Sequence, residues 1–173
     1  MLTRIFSLLS LLLLGGCVQI PENIEPVSNF KLNNYLGTWY EIARLDHSFE
    51  RGLSKVSAQY SMKEDGGVNV LNKGYSSKSD TWKQALGKAY FADTTDRGYL
   101  KVSFFGPFYG SYVIFELDQD NYQYSLVCGP DRSYLWILSR TPAMDKIVLD
   151  NLVAKAREAG FDTDKLIFVE QEQ

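Results

Sequence analysis

The sequence predicts an all-β protein, an eight-stranded antiparallel up-and-down barrel with one C-terminal α-helix packed outside it. Three observations lead there. From Trp39 onward, short runs rich in Val, Ile, Phe and Tyr recur about every ten to fifteen residues between clusters of turn formers. The connections are of hairpin length, whereas a parallel sheet needs long crossovers. A single segment near the C-terminus changes from a two-residue to a 3.6-residue apolar period. The 10 Phe, 11 Tyr, 3 Trp and 13 Gly suit short strands joined by tight turns. A β-sandwich is the alternative arrangement of the same strands.

Residues 1–16 read as a secretory signal: Arg4, a short apolar run from Ile5 to Leu14, then Gly15-Gly16 before Cys17. The run is about ten residues long and a membrane span needs roughly 20. Leu14-Gly15-Gly16-Cys17 resembles the bacterial lipobox, which implies cleavage before Cys17 and acylation of its thiol and amino group. Val18 after that cysteine implies an outer-membrane address. Residues 17–28, with Pro21 and Pro26, read as a lipidated tether that holds the domain off the membrane, and 29–173 as one domain.

The predicted strands are Trp39–Arg44, Val56–Met62, Val68–Gly74, Trp82–Phe91, Tyr99–Phe104, Ser111–Leu117, Tyr122–Cys128 and Tyr134–Arg140. Glu64-Asp65-Gly66-Gly67 and Asp118-Gln119-Asp120-Asn121 supply residues that tolerate left-handed backbone, and Gly129-Pro130-Asp131 interrupts pairing. Leu149, Leu152, Val153 and Ala156 form the stripe of the helix, which Thr141-Pro142 opens and Gly160 closes. Leu166–Val169 reads as a short ninth strand. Along the last barrel strand, apolar side chains occupy both faces, so something packs on both sides.

A formal net charge of -3, and of -4 once residues 1–16 are removed, gives no basic footprint for nucleic acid. Cys128 has no evident partner and reads as a buried, inert thiol. No CxxC or His/Cys cluster suggests a metal or cofactor. The one histidine, His47, sits between Asp46 and Ser48, and sequence neighbours rarely converge into a catalytic triad, so an enzyme is not expected.

Asn34-Tyr35-Leu36-Gly37-Thr38-Trp39-Tyr40 resembles the opening Gly-x-Trp motif of the lipocalins, and Trp136-Ile137-Leu138-Ser139-Arg140 resembles their closing motif. Asp46-His47-Ser48-Phe49-Glu50-Arg51-Gly52, Phe104-Phe105-Gly106-Pro107-Phe108-Tyr109-Gly110 and Cys128-Gly129-Pro130-Asp131-Arg132 resemble the bacterial outer-membrane lipoprotein lipocalins over essentially the whole mature chain. The middle motif is matched only loosely, by Leu117–Tyr122. The resemblance implies a calyx open at one end, with Gly37, Trp39 and Arg140 as structural closure. It also implies binding, transport or storage of lysophospholipids or fatty acids by a lipid-anchored outer-membrane protein. An outer-membrane scaffold with a filled barrel is the alternative, and a homodimer is compatible with either.

Alternation and connectivity, read together with the resemblance, then nominate the site; alternation alone leaves open which face of Ser111–Leu117 points inward. Ala58, Tyr60, Val70, Asn72, Leu100, Val102, Phe104, Tyr112, Ile114, Tyr134, Trp136 and Leu138 are the expected ligand wall, though each could equally be core filling. Glu41 and Glu116 are expected to face inward beside them. If Trp39 marks the closed end, loops 45–55, 75–81, 105–110 and 129–133 ring the mouth and bring Arg51, Lys55 and Arg132 to it, with Lys78, as candidate head-group cations. Phe105, Pro107, Phe108 and Tyr109 make an aromatic mouth loop.

Overall fold

The computed structural model describes residues 18–171. The predicted signal peptide and Cys17 lie outside the described residues. Eight strands close on themselves: β1 (Gly37–Arg44), β2 (Leu53–Met62), β3 (Val68–Ser76), β4 (Thr81–Phe91), β5 (Tyr99–Ser103), β6 (Gly110–Leu117), β7 (Tyr124–Cys128) and β8 (Leu135–Ser139). Each pairs antiparallel with the next, and β1 pairs with both β2 and β8. A one-turn helix α1 (Leu32–Tyr35) precedes β1, and α2 (Lys146–Glu158) and a two-residue β9 (Ile167–Phe168) follow β8.

Apolar residues on both faces of the wall serve two cores. Inside, Trp39, Val68, Val70, Leu100, Ile114, Val127 and Leu138 pack with Phe30, Tyr35 and Tyr122, which close the floor. Outside, Val113, Leu126, Cys128, Leu135 and Ile137 pack under Leu152 and Ala156 of α2 and Phe161 beyond it. The helix starts at Lys146, four residues after Pro142. The Asp145 side chain supplies the cap, accepting from the amides of Ile147 and Val148, while Thr141 Oγ1 donates to the Ala143 carbonyl and holds 141–144 as a turn. β7 begins at Tyr124, because Tyr122 takes a left-handed φ of 55° and its hydroxyl oxygen accepts from the Lys31 amide.

The expected free tether is a packed strap. Gln19 exchanges hydrogen bonds with Ser111 at the start of β6 and donates to the Pro130 carbonyl. Ile24 is buried in the outer core. The Val27 amide donates to Ile114, and the Val27 carbonyl accepts from Gly98. The Phe30 amide donates to Asp96 in the floor loop between β4 and β5. Residues 19–30 therefore run the barrel's length from rim to floor, held by apolar side chains that a solvated tether would leave in water.

Three register shifts interrupt the ladders: one lies at the mouth end of β2 against β3, between Ser54 and Ser57, and the other two are bulges that change which residues face the cavity. Between Glu41 and Ala43 the β1–β8 register shifts, so Ile42 and Ala43 both join the outer core and Arg44 turns inward. Between Ile114 and Glu116 the β6–β7 register shifts likewise. Glu116, expected inside, faces out to an ion pair with Lys155 of α2 at 2.6 Å, while Leu117 returns to the inner core. β2 pairs with β1 only over Gly37–Tyr40; farther along, β9 lies against Ala43 and Arg44.

Candidate ligand cavity

The barrel holds an internal cavity enclosing about 870 Å³ of empty space, counted with its opening. The floor is built by α1 and the first residues of β1. Gly37 takes a φ of 96°, and a Cβ there would stand 3.3 Å from Arg140 Nη1. That lets Arg140 lie 4.0 Å over the Trp39 ring while donating to the carbonyls of Thr38, Asn34 and Tyr122. Trp39 is fully buried and its Nε1 donates to the Tyr35 carbonyl.

Ala58, Tyr60, Val70, Asn72, Leu100, Val102, Phe104, Tyr112, Trp136 and Leu138 all line the cavity, as does Glu41. Ile114 and Tyr134 do not. Ile114 is fully buried in the inner core. Tyr134 precedes β8, in a turn where its amide donates to Asp131, and stacks at the rim with Trp136 and His47 at 6.2 and 5.9 Å. Leu32, Tyr35, Val68, Ala89, Glu50 and Phe49 also line the space. The loop residues among them carry no periodic signal; Val68 and Ala89, which face each other in the β3–β4 ladder, were legible by alternation.

The wall is mostly apolar; besides Ser57 and Ser111 it carries three polar features. In the interior the hydroxyl of Tyr112 lies 2.9 Å from those of Tyr35 and Tyr60, and Tyr35 is 3.2 Å from Ser125 Oγ. Burial pushes the Tyr35 phenol up to about 12 and those of Tyr60 and Tyr112 upward as well, so all three are neutral donors and acceptors. Asn72 Oδ1 is buried with no hydrogen-bond partner among the described residues. Toward the mouth lies a charged group that sequence reasoning did not assemble.

Arg44, 2% exposed, bonds Glu41 at 2.6 Å and donates to the carbonyls of Glu50 and Leu53. Its guanidinium thus bridges β1 to the β1–β2 connection. Glu50 accepts from Trp136 Nε1 at 3.0 Å, and His47 Nε2 is at ion-pair distance, 3.0 Å, from the same oxygen. Burial, reinforced by the Glu50 charge and opposed by Arg44, raises the Glu41 carboxyl well above the usual range. Burial would raise Glu50 too, but His47, Trp136 and Arg44 outweigh it and hold that carboxyl low. Only the β1 bulge makes the Glu41–Arg44 spacing a contact, which strict alternation forbids.

The entrance cations are engaged elsewhere. Arg132 turns outward to the Ala159 carbonyl at the end of α2 and to Glu22 of the strap, which removes it from the mouth. Arg51 is forked onto Asp46 at 2.7 and 3.0 Å in solvent. Lys55 Nζ stands 5.1 Å over the Tyr75 ring. Among the described residues, no Lys or Arg side chain lines the cavity itself.

A sequence-family model described as a lipocalin-like domain matches residues 30–171. The chain is 59% identical to outer membrane lipoprotein Blc of Vibrio cholerae serotype O1 over 168 residues, which covers 97% of this chain and 98% of that one. It is 56% identical to outer membrane lipoprotein Blc of Escherichia coli K12 over 87% of this chain and 85% of that one. The structure of insecticyanin from the tobacco hornworm Manduca sexta superposes with a TM-score of 0.71 at 23% identity, over 90% of this chain and 88% of that one. An internal cavity floored by a tryptophan under an arginine, in a chain that matches the family model from floor to C-terminus, leaves one conclusion: the protein belongs to the lipocalin family.

Proposed function

We propose that this outer-membrane lipoprotein carries or stores single-chain lipids, lysophospholipids or fatty acids, by non-covalent binding in the barrel. One observation supports the reading above others: a long cavity with an apolar wall whose few polar groups, the tyrosine hydroxyls, Asn72 and the Glu41–Glu50 pair, are neutral or already engaged. An acyl chain is the ligand such a wall accommodates at least polar cost. Cys17 is the residue that would carry the anchor. Catalysis finds little support: Cys128 is buried in the outer core with its thiol pushed up to about 12, and His47 is packed against Phe49 and Glu50.

Native mass spectrometry of the chain from residue 18 onward, followed by lipid extraction, tests the proposal. A near-stoichiometric lysophospholipid or fatty acid supports it, names the head group and reports the oligomeric state. A bare mass, with no tryptophan response to added lysolipid or fatty acid, favours a scaffold. Trp136 lines the cavity, Trp39 is sealed in the floor and Trp82 is exposed, so Trp136→Ala is expected to abolish the ligand-induced fluorescence change.

A further inference from the structure

We propose that the open end of the barrel is a membrane-docking face, with Phe49, Phe105, Phe108 and Trp82 seated in the lipid surface that holds the N-terminus, so that the cavity opens onto the bilayer. The proposal rests on the reading of Cys17 as the anchored residue. The strap supplies the direction. Gln19 is fixed to Ser111, next to the β5–β6 loop, and to Pro130 in the β7–β8 loop, both at the mouth. The described chain therefore leaves the barrel at the rim, two residues from the proposed anchor residue, and two residues of chain reach roughly 7 Å at most. The floor is out of reach, because the eight residues of β1 alone span roughly 25 Å.

The two ends of the barrel differ as this orientation requires. Phe105 and Phe108 are 81% and 67% exposed in a mouth loop that carries no charge, and Phe49 in the β1–β2 connection and Trp82 at the mouth end of β4 are more than half exposed on the same rim. The floor connections 63–67, 92–98 and 118–123 contain no exposed large apolar side chain and carry six carboxylates against two basic groups. Exposed rings on one rim bury apolar area in a lipid surface, while the acidic floor is repelled by anionic head groups. A second anchoring signal of this kind also converts a pivoting attachment into a fixed one.

The test uses the full acylated chain in vesicles of phosphatidylethanolamine and phosphatidylglycerol. An environment-sensitive label is placed at Phe108→Cys or, as the opposite end, at Asp120→Cys; the buried Cys128 leaves the introduced thiol as the reactive one. Nitroxide carried on the lipids should quench the label at 108 and leave the label at 120 untouched, with aqueous iodide giving the reverse. Phe105→Ser should reduce the lipid-borne quenching at 108 without releasing the protein from the vesicles. A protein that floats with the vesicles but whose 108 label responds to iodide alone overturns the docking and keeps the anchor. Protection of 108 from both quenchers assigns the rim to a protein contact and overturns the docking as well. Failure to float overturns anchor and docking together.

Discussion

Arg44 is the residue on which the mouth half of the barrel depends. Its guanidinium bonds Glu41 and two carbonyls where β1 and β2 separate, and all but 2% of it is buried. Removing one member of a buried pair leaves the other without compensation, so Arg44→Met should cost about 3–5 kcal/mol, read as a lower urea midpoint with unchanged slope. Glu41 contributes in the opposite sense. Its folded pKa is raised, so between the unfolded carboxylate value and that higher folded value the native state binds more protons than the unfolded chain. Stability from this group therefore declines as pH rises through the window. Glu50, held low, contributes stability that is lost on acidification instead. Glu41→Gln should accordingly flatten the decline in urea midpoint as pH rises above the usual carboxylate range; a variant that declines as steeply as the parent would show that Glu41 is not its source.

Among the elements, α2 and the two bulges divide what the sequence discloses from what it hides. The helix stripe of Leu149, Leu152, Val153 and Ala156 was legible because 3.6-residue periodicity follows directly from burial on one face, and Leu152 and Ala156 are the two fully covered members. Its start was not, because the Thr141-Pro142 signal belongs to a turn and the cap is Asp145. Asp145→Ala should cost about 1 kcal/mol in thermal or urea unfolding and leave ligand affinity unchanged, since α2 lies outside the cavity wall. The strands were legible for the same reason as the stripe, and alternation together with the family resemblance placed ten of the wall residues. Glu116 and the Glu41–Arg44 pair escaped because a bulge adds one residue without any distinctive side chain, and each residue beyond it changes face. The strap escaped for a different reason: its contacts at Ser111, Gly98 and Pro130 are long-range backbone and hydroxyl bonds, which leave no period in the sequence.

For the molecule as a whole, the proposed lipid-carrier function makes a prediction about chain length, because the floor is sealed and the mouth is open. Val68 and Ala89 face each other near the floor, while Phe104, Phe49 and Trp136 stand toward the mouth, so an acyl chain held at the mouth extends its terminal methylenes toward Ala89. Ala89→Phe places a ring in that space. Each buried methylene is worth about 0.8 kcal/mol, so excluding three of them weakens binding by about 2.4 kcal/mol, or roughly 50-fold. The loss should fall on chains of eighteen carbons and largely spare those of ten, whose ends stop short of the new ring. Titrating both lengths into parent and variant, with Trp136 fluorescence as the readout, separates this from a general loss of fold. Equal weakening of both lengths would mean that the chain does not run the depth of the barrel. The polar groups of the wall fit a floor-directed chain, because the tyrosine hydroxyls satisfy one another and leave the methylenes an uncharged path.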